Sequence, residues 1–232
     1  LKYNGVVYNE MKGAFSSPDE VLEREIMNHL FPDTTYGCES GGDPKNIPDL
    51  TYENFLNFHR TYYHPSNSYI YLYGNMDMEE KLAFLDEHYL SHFDYLDVDS
   101  VIQEQKAFGA CRDVTLEYPV AENEGEEDNT YLSYNMVVGN AADSQMAMAF
   151  EVLDYALLSA PGAPLKQALL DVKAGKDVYG SYDDGILQPY FTVIAKGSNP
   201  DRKEEFVSVI RQVLGDIVKN GIDRKAVEAG IN

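Results

Sequence analysis

Two periods of apolar and polar positions run along this chain, and the switches between them mark its elements. In "GVVYNEMKGAF", residues 5–15, Val6, Val7, Met11 and Ala14 fall three or four residues from Glu10, which predicts a helix carrying them on one face. Ser17-Pro18-Asp19-Glu20 is a capping box with proline at the first helical position, and Leu22, Ile26, His29 and Leu30 follow as a stripe that ends at Pro32. "YGCESGGDPKNIPDL" predicts a loop. Thr51 opens a further helix with Phe55, Phe58 and Tyr62 inward, closed by Pro65. "SYIYLYGNMD" has the β-branched and aromatic content of a buried strand, and Glu79 to about His92 is a helix with Leu82, Leu85 and Tyr89 on one side.

Residues 94–110 are acidic and short of large apolar clusters, which predicts a linker, and the pattern then restarts. "DVTLEYPV" and "TYLSYNMVVG" read as strands separated by a solvated acidic loop, Glu122 to Asp128. Asp143 to Leu158 is a helix with Met146, Phe150, Leu153 and Leu157 inward, and Pro164 to Val172 is a second with Gly175 as its C-cap. "DVYGSYDDGILQPYFTVIAKG" gives two strands around a turn. Asp201 to Asn220 is a long amphipathic helix with Phe206, Val209, Ile210, Val213 and Ile217 inward, capped by Gly221. The order β-β-α-α-β-β-α-α predicts an α+β layer, an antiparallel-rich sheet with helices packed on one face. The first half holds only an α-α-β-α portion of a similar unit.

Composition narrows the classes. The 232 residues are 44% hydrophobic and 25% charged, the balance of a globular chain, and the longest apolar runs fall short of a membrane span. With 39 acidic against 18 basic residues the net charge is −21, which repels nucleic acid and anionic membranes and favours cationic partners. Cys38 and Cys111 lie far apart and read as two free thiols. No basic-then-apolar leader opens the chain. It starts without methionine and stops just after Asp223 opens a helix, so we expect a piece of a longer polypeptide.

Zinc-type chemistry would need histidines, and their spacing is unhelpful. His59 and His64 are five apart, on different sides of a helix, with Pro65 following; His88 and His92 are four apart with no third ligand or base between them. Both pairs read as structural, and His29 as a core histidine. Neither H-E-x-x-H nor H-x-x-E-H occurs, nor G-x-S-x-G, and the glycines of "SGGDP" lack a Walker lysine. Glu10 reads either as an ordinary glutamate at the edge of an amphipathic face or as a buried carboxylate with a partner, for which a metal cation would serve.

"GVVYNEMKGAFSSPDEVL" followed by "LFPDTTYGCESGGDPKNIPDLTYENFLNFHRTYYHPSNSYIYLYGNMD" resembles the presequence-protease branch of the pitrilysin/insulinase-type zinc metallopeptidases. The likeness is dense from Gly5 to Asp77 and looser through "YLSYNMVVGN", "LDYALLSAPGAPLKQALL" and "DDGILQPYFTVIAKG". It implies a mitochondrial-processing-peptidase-like metallohydrolase fold, incomplete at both ends. Residues 1–98 would be the rear of a first, zinc-site repeat domain, 99–110 a linker, and 111–232 most of a second, non-catalytic one. Such enzymes enclose unfolded peptides and cut them with an inverted H-x-x-E-H motif, whose glutamate acts as general base on zinc-bound water. Their third protein ligand is a downstream glutamate in a helix matching "VVYNEMKG", here Glu10. The H-x-x-E-H helix is not in this chain, so we expect it to be inactive alone and to hold zinc weakly or not at all. Implied partners are unstructured cationic peptides and the remaining segments of the same polypeptide, with no nucleic acid or membrane; the implied compartment is a bacterial cytoplasm, or alternatively an organelle matrix. The alternative function is a scaffold or partner subunit of the same fold that binds no metal.

Overall fold

A computed structural model describes residues 3–120 and 125–231 of the chain. Strands β1 (Thr130–Val137), β2 (Asp177–Asp183) and β3 (Tyr190–Ser198) form one antiparallel sheet in the order β1-β3-β2. The middle strand reads as a near-continuous apolar run because both of its faces are covered. Phe191, Val193 and Ala195 belong to one buried cluster, and Tyr190 and Ile194 to another.

The first cluster is built by helices α5 (Ser144–Asp154), α6 (Pro164–Asp171) and α7 (Lys203–Asn220). Asp143 caps α5 by accepting from the Met146 amide at 3.0 Å. The helix then widens into a π-turn, Tyr155–Ser159, which buries Ala156, Leu157 and Leu158. Leu165 and Leu169 of α6 and Phe206 and Ile210 of α7 are buried in the same cluster, with Val209, Val213 and Ile217 packed against it. Met146, expected inward, is exposed. Gly221 ends α7 with φ +89°, where a side chain would be strained, and donates its amide to the Ile217 carbonyl at 2.8 Å. A short α8 (Arg224–Ile231) follows.

The expected C-cap of α6 is corrected. Lys173 takes the left-handed turn (φ 54°), and Gly175 instead sits where a Cβ would meet the Lys196 carbonyl oxygen at 2.7 Å. The "DVTLEYPV" strand is also absent: residues 113–120 join no ladder, and Val114, Leu116 and Val120 are exposed. β propensity supplied a willing segment but no partner. The expected acidic loop lies partly outside the described residues.

Helix α2 (Pro18–Leu30) covers the other face of the sheet, so helices pack on both sides. Its Ile26 and the following Phe31 are buried with Tyr190 and Ile194. Pro18 occupies the first turn as expected, but Ser17 makes no side-chain capping bond. Asp19 is engaged elsewhere. It accepts from Lys196 Nζ at 2.8 and 3.1 Å, from the Tyr179 hydroxyl at 3.2 Å and from the Tyr131 hydroxyl at 3.3 Å. The Lys196 hydrogen bond holds the Asp19 carboxyl below its usual range, while burial, with Asp19 alongside, pushes Tyr179 up to about 12.

By contacts the chain divides into two units: Leu1–Met11 with Gly41–Gln103, and Lys12–Ser40 with Glu104–Asn232, the latter containing the sheet and its helices. The other unit holds α3 (Tyr52–Tyr62), α4 (Met78–His88) and most of α1 (Val6–Ala14). Thr51 caps α3 with a full capping box through Asn54. None of the three helices has a buried residue. Phe55 and Phe58 are exposed, and so is Tyr62, against the inward face expected for them. The helix expected to reach His92 stops at His88, followed by a 3-10 turn, Leu90–His92. "SYIYLYGNMD" pairs with no strand among the described residues.

Asp19 joins α2 to the sheet through partly exposed groups, so its loss should cost about 1 kcal/mol. Phe206→Ala, which empties a filled core position, should cost about 3–5 kcal/mol. Asp19→Asn should therefore lower the melting temperature at neutral pH by about 2–4 °C, far less than Phe206→Ala. Because the Asp19 pKa is depressed when folded, its contribution is whole above the ordinary carboxylate pKa of 3.8 and is lost as pH falls through the lower folded value. Thermal melts of wild type and Asp19→Asn should thus converge in acid; a gap that persists there would show that the charge is not what joins helix to sheet.

Candidate functional site

Glu10 lies on α1, which starts after Gly5 with the Asn9 amide donating to the Gly5 carbonyl at 2.9 Å. The Ser16 amide closes its end on the Gly13 carbonyl at 3.0 Å. One side of this helix is anchored in its own unit: Met11 rests against Gly41, where any side chain would overlap its sulfur. The expected apolar face, however, is open. Val6 is 85% and Val7 56% exposed, and Glu10 is exposed between them. Among the described residues the Glu10 side chain makes no ion pair or hydrogen bond. Glu10 is thus not buried in this structure, and the apolar residues beside it are open to water as well.

The histidines of the same unit turn to aromatic rings. His59 stacks on Tyr63 at 4.7 Å, and His88 lies 4.6 Å from the Phe84 ring. His64 meets Phe93 edge-on at 5.3 Å, and its Nδ1 accepts from the Ser66 amide at 3.2 Å. In the other unit His29 is half-buried, its Nδ1 2.7 Å from the Glu25 carbonyl oxygen and 3.6 Å from the Glu25 carboxylate. Cys38 and Cys111 are exposed free thiols.

A cleft of about 1340 Å³ runs beside β1 in the sheet-bearing unit, lined among others by Leu22, His29, Phe108, Tyr131 and Met136. No sequence motif announced it. It arises because β1 pairs with β3 on one edge and with no strand on the other among the described residues.

A protein zinc site takes three or four close ligands. Among the described residues no group of three His, Cys, Asp or Glu side chains is placed to hold a metal. Glu10 has the right chemistry for one ligand, but a single carboxylate does not fit zinc as a resident cofactor of this chain, and no reaction step through a metal follows from these residues. The other hydrolytic arrangements, a nucleophile with its base, are not indicated either by any sequence motif.

Comparison with known proteins adds descent to this geometry. The family model of the peptidase M16 inactive domain matches residues 49–232. Over its whole length the chain is 50% identical to Protein HypA of Clostridium perfringens (strain 13 / Type A). It is 37% identical, again over its whole length, to presequence protease 1, chloroplastic/mitochondrial, of Arabidopsis thaliana. It spans 24% and 22% of those two proteins, about a quarter of their length. A crystal structure of the peptidase M16 inactive domain from Pseudomonas fluorescens superposes with a TM-score of 0.70 over 97% of this chain and 53% of that one, at 19% identity.

The 232-residue chain, purified in buffer with equimolar zinc and then desalted, should retain well under one zinc per molecule by elemental analysis. Stoichiometric retention would mean that its histidines do form a site.

Proposed function

This chain belongs to the M16 peptidase family, and on that premise we propose that it is part of a zinc metalloendopeptidase that degrades unstructured, presequence-like peptides. In this reading it supplies the downstream glutamate ligand, Glu10, and is inactive alone. The observation that carries the proposal is Glu10 itself. It sits in the "VVYNEMKG" helix on which the resemblance places a zinc ligand, exposed and unpaired among the described residues, open to groups from elsewhere. Zinc, once completed by ligands outside this chain, would act as the Lewis acid of peptide hydrolysis. The contribution of Glu10 would be one fixed negative charge on a helix held at Met11 and Gly41.

The similarity of residues 49–232 to the inactive domain suits a supporting role for most of the chain. The division into repeat domains, 1–98 and 111–232 with a linker at 99–110, is proposed for the full-length protein, where further segments would complete each domain. A chain of net charge −21 would draw cationic peptides by simple electrostatics. Relatives named for mitochondria and chloroplasts and a relative from a bacterium fit either compartment, and no helix among the described residues is long and apolar enough to cross a membrane.

A metal-free scaffold of the same family is the second reading, favoured by the match to a domain described as inactive. Glu10→Gln in the full-length gene product separates the two. We expect zinc content to fall at least about tenfold and peptidase activity to fall with it. Unchanged zinc and activity would remove Glu10 from the site, and a wild-type protein with neither would favour the scaffold.

A further inference from the structure

The junction of α5 with its π-turn holds a carboxylate that the fold leaves unanswered. Asp154 is the last residue of α5, and its Oδ1 is buried from water with no hydrogen-bond partner among the described residues. Its side chain makes no ion pair there either. Burial holds the carboxyl above its usual range. A buried charge without a partner is strongly unfavourable, and native folds supply such groups with a counter-charge, an ion or a water.

Two features narrow what the partner is. The first is charge. Phe150, one turn before Asp154, stacks on Tyr182 at 5.4 Å, and the Tyr182 hydroxyl is likewise buried and unpartnered. Burial pushes that hydroxyl up, and Asp184 and Glu151 add to the shift. Among the described residues none of Glu151, Asp154 and Asp184 forms an ion pair. A neutral donor would satisfy one oxygen, whereas a cation also answers the negative surroundings. The second feature is the seat of α8. Gly230 lies so close to the junction that a Cβ there would meet Tyr155 Cδ1 at 3.2 Å and Val152 Cγ1 at 3.3 Å. Ala226, Val227 and Gly230 are half-buried and share one helical face. A further turn of helix advances about 5.4 Å, which keeps the residues after Ile231 within the span of a lysine or arginine side chain.

We infer that Asp154 is the anionic half of a buried ion pair, whose cation is a lysine or arginine side chain in the polypeptide that follows α8 in the full-length protein. The inference rests on this chain being a portion of a longer protein, as the relatives of which it spans 24% and 22% support, and it does not depend on zinc. A second copy, itself of net charge −21, brings like charge rather than a counter-charge.

Hydrogen exchange at neutral pH, read by mass spectrometry on wild type and Asp154→Asn, each as the 232-residue chain and as the full-length gene product, tests this. Asparagine keeps the shape and removes the charge. In the 232-residue chain the substitution relieves an unanswered buried charge, so amides of residues 152–160 should exchange about tenfold more slowly. In the full-length protein it strands the cation, and the same amides should exchange at least about tenfold faster. Only this reversal of sign supports the inference. Unchanged or slower exchange in the full-length variant would overturn it, since a neutral donor, or nothing, would then face Asp154. Unchanged or faster exchange in the 232-residue variant would overturn it as well, since Asp154 would then carry no unanswered charge there. Zinc content of the full-length wild type reports separately on the proposed function, which can fail while the ion pair stands.

Discussion

Everything ordered in the larger unit depends on covering both faces of strand β3. Its alternate residues, Phe191, Val193 and Ala195 on one side and Tyr190 and Ile194 on the other, cannot be buried by a single layer of helices. The later helices supply one layer through Leu165, Leu169, Phe206 and Ile210. The second layer is α2, drawn from more than a hundred residues earlier in the chain and held by Ile26, Phe31 and the Asp19 contacts to Lys196, Tyr179 and Tyr131. Apolar burial sets the energy of this arrangement, and the polar contacts of Asp19 fix where along the sheet the helix sits.

The smaller unit has no equivalent of β3. Its helices are locally well specified, with Thr51 and Asp77 as caps, yet none of them buries a residue. Helix signals of this kind are local: a cap and a few intrahelical bonds suffice to place an end. A sheet is not local, and a strand without a ladder remains an extended segment whatever its composition. Hence the contrast between sharply defined helix starts and the open tyrosines at 69, 71 and 73.

The same physics separates what could be read from the sequence. Helix positions, the β2-β3 hairpin, the inward residues Phe206 and Ile210 of α7 and its glycine stop were all legible, because periodicity and capping act within a few residues. The α+β class was legible from the order of elements, and solved M16 structures share the fold. The strands expected at 68–77 and 113–120 join no ladder among the described residues, since a propensity does not name a partner. The second helix layer was not legible, because nothing in the Leu22-Ile26-Leu30 stripe states which sheet it will meet. For the site, pattern reasoning brought Glu10 forward only as a carboxylate out of place; a metal ligand drawn from distant chain leaves no spacing motif, and resemblance alone gave the carboxylate a role.

In the proposed reading, Glu10 is completed as a zinc ligand by groups from other parts of a larger protein. Anomalous diffraction at the zinc edge from crystals of the full-length gene product tests the central claim most directly. We expect a zinc peak with a Glu10 carboxylate oxygen at about 2.0–2.2 Å. A zinc bound with Glu10 well outside that distance, or full-length protein that binds none, would contradict it.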